Sequence, residues 1–238
     1  MIDFNIQKIL PLCETFGLTL DTDAQNRLNT YGNMLLDYNE RINLTAITDT
    51  EEVLFKHFYD CLLFFKAVSV KENAKIIDVG TGAGFPGLVL KIARPDIELT
   101  LLDGLDKRLK FLNDVLSETE LSAELLHLRA EDGGKDPALR EQFDIACARA
   151  VAPLPILSEL CIPFVKTGGM FVAMKGSNGQ EEIKQSLNAF KVLGCEKPTL
   201  KQEKLRENEE RCFIISKKIS QTSPKYPRNY GKIKKSAL

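Results

Sequence analysis

Ten residues constrain the fold more than anything else in the chain: Asp78-Val79-Gly80-Thr81-Gly82-Ala83-Gly84-Phe85-Pro86-Gly87. They join an apolar run containing Ile76 and Ile77 to a helical pattern carried by Leu88, Val89, Leu90 and Ile92. A strand that turns through alternating glycines into a helix is the opening unit of a parallel α/β sheet, with a ligand lying at the turn. Glycine suits the turn because it adopts positive φ and lets a ligand approach the backbone with no Cβ in the way.

The segment can be parsed twice. Gly82, Gly84 and Gly87 satisfy G-x-G-x-x-G, in which a helix N-terminus seats a pyrophosphate. Asp78-x-Gly80-x-Gly82-x-Gly84 instead adds a carboxylate at the strand end. That charge repels a diphosphate and suits a cofactor carrying an ammonium and a sulfonium, S-adenosylmethionine. The next apolar run, Ile97 to Leu102, ends at Asp103, where a βαβ unit places a carboxylate on ribose hydroxyls, a spacing that serves either cofactor. From the residues alone a methyltransferase leads, with an NAD-dependent oxidoreductase and a non-catalytic RNA-binding module as alternatives.

Hydrophobic periodicity sets the surroundings. Helical spacing is predicted near Ile6 to Phe16 and from Asp21 to Ile42, then from a Thr48/Glu51 capping box through Val53, Phe55, Phe58 and Leu62. Strands are expected near Lys75 to Val79, Glu98 to Leu102, Ala123 to Leu128, Phe143 to Ala148 and Met170 to Met174. Helices fall between them at Pro86 to Ala93, Asp106 to Leu121, Leu154 to Val165 and Glu181 to Val192. Glu196 to Lys204 and Arg211 to Ser216 then read as an antiparallel closing hairpin with Leu205 to Glu210 as its turn. The expected architecture is a Rossmann-like α/β fold of the class I S-adenosylmethionine-dependent type: a mostly parallel seven-stranded sheet with a closing hairpin and an N-terminal helical extension. Residues 1–70 form a helical cap, 71–218 the cofactor-binding domain and 219–238 a basic tail. A dehydrogenase usually adds a substrate domain for which 238 residues leave no room.

Net charge is −1, yet from Lys217 onward the chain carries Lys225, Arg228, Lys232, Lys234 and Lys235 with Tyr226 and Tyr230 interleaved and no acid. Such a tail neutralises phosphates and stacks on bases, or is merely a solubilising terminus. The six scattered cysteines and two histidines lack metal-ligand spacing and read as buried free thiols, with no metal expected. No apolar run reaches the roughly 20 residues of a membrane span, and a cytoplasmic monomer is expected.

Further candidates sit after the later strands, at the carboxyl edge where ligands of such folds bind. Ala130 and Glu131 follow the third strand, either reading an adenine edge or forming a simple acidic loop. Arg149 ends the fourth, as a bidentate clamp for a carboxylate or phosphate or as the partner of a neighbouring acid. Lys175 ends the fifth, as a contact for an RNA phosphate or with no role. His57 and Asp60, one helical turn apart, read as a structural pair.

With Asp78 to Gly87, Arg129-Ala130-Glu131, Ala148-Arg149-Ala150-Val151-Ala152, Lys175-Gly176 and Tyr226-Pro227-Arg228 assembled, the chain resembles the ribosomal small-subunit methyltransferase G family, formerly glucose-inhibited division protein B. The resemblance implies methyl transfer from S-adenosylmethionine to N7 of a guanine in 16S ribosomal RNA, with the RNA or the small subunit as partner. It implies that Gly80, Phe85, Ala130, Glu131 and Arg149 contact the cofactor; Asp103 joins them from the general methyltransferase pattern. The tail departs from the family's lysine- and proline-containing stretch, reading Asn229-Tyr230-Gly231-Lys232-Ile233. Guanine N7 carries a lone pair and no proton, so alignment suffices and no catalytic base is expected. Replacing Arg149 by Ala is expected to weaken ligand binding while leaving the fold intact.

Overall fold

The computed structural model describes residues 4–238. A 3-10 turn, Ile6–Ile9, leads into α1 (Leu10–Glu14) and α2 (Thr22–Asn39), the latter capped by Asp21, whose carboxylate accepts the Ala24 amide at 2.7 Å. Next come α3 (Thr50–Val53), a π-helical turn (Leu54–Tyr59), α4 (Asp60–Leu62) and α5 (Phe64–Ala67). Strands and helices then alternate through β1 (Lys75–Val79), α6 (Gly87–Ala93), β2 (Glu98–Asp103), α7 (Asp106–Glu118), β3 (Glu124–His127), α8 (Ala130–Gly133), β4 (Phe143–Arg149) and α9 (Leu154–Cys161). The chain closes with β5 (Val165–Lys175), α10 (Gly179–Val192), β6 (Thr199–Arg206), β7 (Glu209–Lys217) and α11 (Tyr230–Lys235).

The seven strands order as β3-β2-β1-β4-β5-β7-β6, with β1 to β5 parallel and β7 antiparallel between β5 and β6. Strand order reverses at β1 and β4, and such a switch point opens a crevice at the carboxyl ends. Alternating side chains feed two cores, Ile76 on one face and Ile77 and Val79 on the other. The first core takes Leu28, Tyr31 and Leu35 of α2 with Leu109, Phe111 and Leu112 of α7. The second takes α9, α10 and two residues of the basic tail, Tyr226 and Ile233. Each such side chain contributes about 1.5–3 kcal/mol by leaving water.

Several boundaries differ from the sequence expectation, three of them for a local reason. The helix after residue 48 starts one residue later, because Asp49 rather than Thr48 caps it, accepting the Glu52 amide at 2.8 Å. The helix from Leu154 stops at Cys161 and tightens into a 3-10 turn, Ile162–Phe164, since Pro163 has no amide to continue it. In the hairpin only Glu207 and Asn208 turn; the flanking polar residues belong to β6 and β7, where charged side chains suit an edge strand.

Candidate active site

The glycine loop is held from inside by two acids. Asp78 is fully buried, and its Oδ2 accepts the Thr81 hydroxyl at 2.7 Å and the Gly87 amide at 2.9 Å. Asp103 accepts the Gly82 amide at 2.9 Å on Oδ2 and the Leu105 amide at 2.9 Å on Oδ1. The Gly84 amide goes to the Thr81 carbonyl at 2.9 Å. All three amides of the dinucleotide fingerprint are therefore committed within the protein. A diphosphate would have to displace two carboxylates to reach them.

The glycines divide by what surrounds them. A Cβ on Gly84 would stand 2.6 Å from the Tyr31 hydroxyl, and one on Gly87 would stand 2.8 Å from Asp78 Cβ, so these two permit packing. Tyr31 also donates to the Ala83 carbonyl, which ties the loop to the N-terminal helices. Gly80 faces a cleft and has φ +71°, and a Cβ there would meet Val151 Cγ2 at 2.8 Å. Gly82, at φ +62°, meets nothing within 4 Å. We expect Gly80→Ala to lose about 1–2 kcal/mol from the left-handed backbone alone. Titration calorimetry should also show weaker S-adenosylhomocysteine binding than in Gly82→Ala, where only strain is added; equal losses would contradict this contrast.

Burial pushes the Asp78 carboxyl up to about 6, with Thr81 and Gly87 opposing the shift, and its Oδ1 has no partner. The folded state thus holds this proton more tightly than the unfolded chain. Asp78 contributes stability below about pH 4, and that contribution is lost as pH rises through about 6, a swing of about 3 kcal/mol. Asp78→Asn keeps an acceptor for both donors and removes the titration. The melting-temperature difference, variant minus wild type, should therefore fall as pH is lowered from 7.5 to 4.5. A pH-independent difference would sink this assignment.

The cleft itself, about 390 Å³, lies across the carboxyl ends of β1 to β4 and includes Gly80, Asp103, Leu105, Ala130, Glu131 and Ala150 in its walls. Among the sequence candidates the structure brings together Gly80, Asp103, Ala130 and Glu131. Asp78 stands behind the loop rather than in the cleft. Phe85 is also elsewhere: its ring stacks between Tyr31, 5.4 Å between centroids, and His57, at 4.8 Å.

Arg149 departs furthest from expectation. Its guanidinium donates to the Lys56 carbonyl at 2.8 Å, to Asp60 Oδ2 at 2.9 Å and to His57 Nδ1 at 3.2 Å, and it lies 4.9 Å from the Phe85 centroid. The π turn explains the first contact, because its widened hydrogen bonding lets a backbone carbonyl face a neighbouring group. Asp60 is buried and also accepts Arg211 Nε at 2.9 Å. His57 Nδ1 lies 3.2 Å both from the Arg149 guanidinium, which only donates, and from the Lys56 carbonyl, which only accepts, while Nε2 lies 2.7 Å from Thr45 Oγ1. Burial and Arg149 drive the His57 pKa down to about 3, so the ring is neutral at physiological pH.

A second cleft, about 310 Å³, opens beside this cluster and is lined by Lys56, His57, Asp60, Arg149, Lys175 and Arg211 among others. Ala150 lines both clefts and holds φ +56°, a left-handed conformation uncommon for a residue with a side chain. Cys147, within β4, is fully buried with its thiol pKa raised, and so is not a nucleophile.

The basic residues separate. Lys225, Lys232, Lys234 and Lys235 are exposed. Lys175 is instead held by the Ala152 carbonyl at 2.7 Å and Glu182 at 2.8 Å. Arg228, expected among RNA contacts, forks onto the fully buried Glu159, Nη2 to Oε2 at 2.6 Å and Nε to Oε1 at 2.9 Å. Sequence reasoning missed Glu159, because an acid within an apolar helix signals a partner without naming it.

Sheet order and crevice together define a Rossmann-like class I S-adenosylmethionine-dependent methyltransferase fold. Solved structures share it: a methyltransferase from Bacillus halodurans described as putative matches with TM-score 0.52 at 14% identity, over 68% of this chain and 100% of that one. TrmN from Thermus thermophilus matches with TM-score 0.53 at 15% identity, over 70% of this chain and 53% of its own. Residues 24–212 match the GidB family model, rRNA small subunit methyltransferase G. Ribosomal RNA small subunit methyltransferase G of Clostridium perfringens strain SM101 is 44% identical over 228 residues, 95% of each chain. That of Clostridium botulinum strain ATCC 19397 is 43% identical over 241 residues, 99% of this chain and 98% of its own. The chain belongs to the rRNA small subunit methyltransferase G family.

Proposed function

We propose that this protein transfers a methyl group from S-adenosylmethionine to N7 of a guanine in 16S ribosomal RNA, acting as a cytoplasmic monomer. The observation that carries the cofactor choice is the commitment of the Gly82, Gly84 and Gly87 amides, which leaves no cradle for a diphosphate. The cleft residues fit the cofactor: Asp103 offers a carboxylate suited to ribose hydroxyls, Ala130 and Glu131 flank the adenosine end, and Gly80 supplies a bare backbone. The bound cofactor supplies an electrophilic methyl on a sulfonium.

The second cleft is proposed for the acceptor. Ala150, shared by both clefts, is the point where acceptor and methyl donor meet, and the cations that line the second cleft are each paired with an acid. Neutral, tethered His57 does not serve as a base, which agrees with an acceptor nitrogen that has no proton to lose. The Arg149 charge is compensated by Asp60, so it does not oppose positive charge growing on the purine. Exposed Lys225, Lys232, Lys234 and Lys235 supply the phosphate-binding surface.

The test compares ribosomal RNA from cells with and without the gene by chemical cleavage at 7-methylguanosine. One cleavage site should vanish from 16S RNA in the deletion and return on complementation. An unchanged cleavage pattern would overturn the proposal.

A further inference from the structure

The cofactor cleft has a wall that comes from none of the strand-end loops. Tyr230, the first residue of α11, lines it together with Leu105, Arg129 and Ala130. The Arg129 guanidinium lies 5.4 Å from the centre of the Tyr230 ring. This wall is anchored on three sides. Ile233 is fully buried in the second core, Asn229 Oδ1 accepts the Lys232 amide at 3.0 Å, and Arg228 is locked to Glu159.

Sheet order tells which end of the cleft Tyr230 occupies. The proposed acceptor cleft lies at the ends of β4 and β5, and the transferable methyl has to face it. The adenosine half therefore points away, toward the loops after β2 and β3, and Arg129 in the loop after β3 is the residue against Tyr230. An aromatic ring held beside a purine offers a stacking surface that neither ribose nor methionine would use.

We propose that Tyr230 is a cofactor-positioning residue that closes the adenosine end of the cleft and packs against the purine, with Arg129 fixing its ring. This inference rests on the proposed cofactor. It gives the C-terminal helix a role in cofactor binding as well as in carrying the exposed lysines.

Titration calorimetry on the full chain with S-adenosylhomocysteine and with 5′-methylthioadenosine, which lacks the amino-acid end, separates the possibilities. Tyr230→Ala and Tyr230→Leu should weaken both ligands by a similar factor of about ten, the scale of base–aromatic stacking. Tyr230→Phe should bind like wild type. Melting curves without ligand guard against a folding defect, and Tyr230→Leu retains apolar bulk for that purpose. A Leu variant that melts like wild type and binds both ligands as tightly overturns the role of Tyr230. If the wild type binds neither adenosine ligand, the cofactor assignment beneath it fails instead.

Discussion

Arg228→Ala should be among the most destabilising single substitutions in the chain, costing about 3–5 kcal/mol, because it strands a buried carboxylate. Glu159 is fully buried in α9, and among the described residues the Arg228 backbone amide and guanidinium supply all the hydrogen bonds to its carboxylate, at 2.6–3.2 Å. Removing the guanidinium leaves one backbone donor for a charge that water cannot reach. For a chain of this size the loss corresponds to a fall in melting temperature of about 10 °C. The double variant Arg228→Met with Glu159→Leu should recover much of it, since a buried ion pair and an apolar pair of similar volume are often comparable in stability. Were Arg228 a phosphate contact instead, Arg228→Ala would melt like wild type and would reduce the salt dependence of RNA binding. Calorimetric melting and RNA titration across salt concentrations distinguish these outcomes.

Arg149→Ala comes next, at about 3 kcal/mol, which revises the expectation of an intact fold. The substitution removes one of two partners from buried Asp60 and takes the guanidinium donor away from the Lys56 carbonyl and His57 Nδ1. Lys in this position should rescue little, because one ammonium cannot reproduce a planar fork spread over three acceptors. The pair formed with Asp60 should show a coupling of about 2 kcal/mol in a double-mutant cycle. A second readout is specific to the cluster. With Arg149 gone, one of the causes holding His57 near 3 disappears, burial and the Arg211 charge remaining, so its pKa should rise in an NMR titration, which needs only to distinguish two histidines. His57 disfavours its charged form in the fold, so it removes stability as pH falls below about 6.5, and the Arg149 variant should lose less there. A His57 titration unchanged by Arg149→Ala would refute the electrostatic account of this cluster.

Much of the architecture was readable in the chain. The glycine segment, the alternation of apolar runs and the polar break near Glu207 announced five parallel strands and a closing hairpin, because burial on both faces forces continuous apolar strands. Asp103, Gly80, Ala130 and Glu131, expected at the carboxyl edge, line one cleft there, because residues at the ends of parallel strands have one edge to occupy. Asp78 and Phe85 were legible as motif but not as position. The same motif serves whether its acid faces a ligand or the interior, and only the Thr81 hydroxyl and Gly87 amide on its carboxylate show that Asp78 faces inward.

Local pattern along this chain determined the order of strands and helices, the glycine turn and the ends of the strands where ligands gather, since hydrophobic period and backbone freedom act within a few residues. Tertiary structure decided the partners of the charges: Arg149 with Asp60 across 89 residues, Arg228 with Glu159 across 69, and Tyr230 at the wall of a cleft built far upstream. A cation reads the same in sequence whether it meets RNA or a buried acid. Desolvation discriminates between them, and desolvation exists only once the chain has closed around the group.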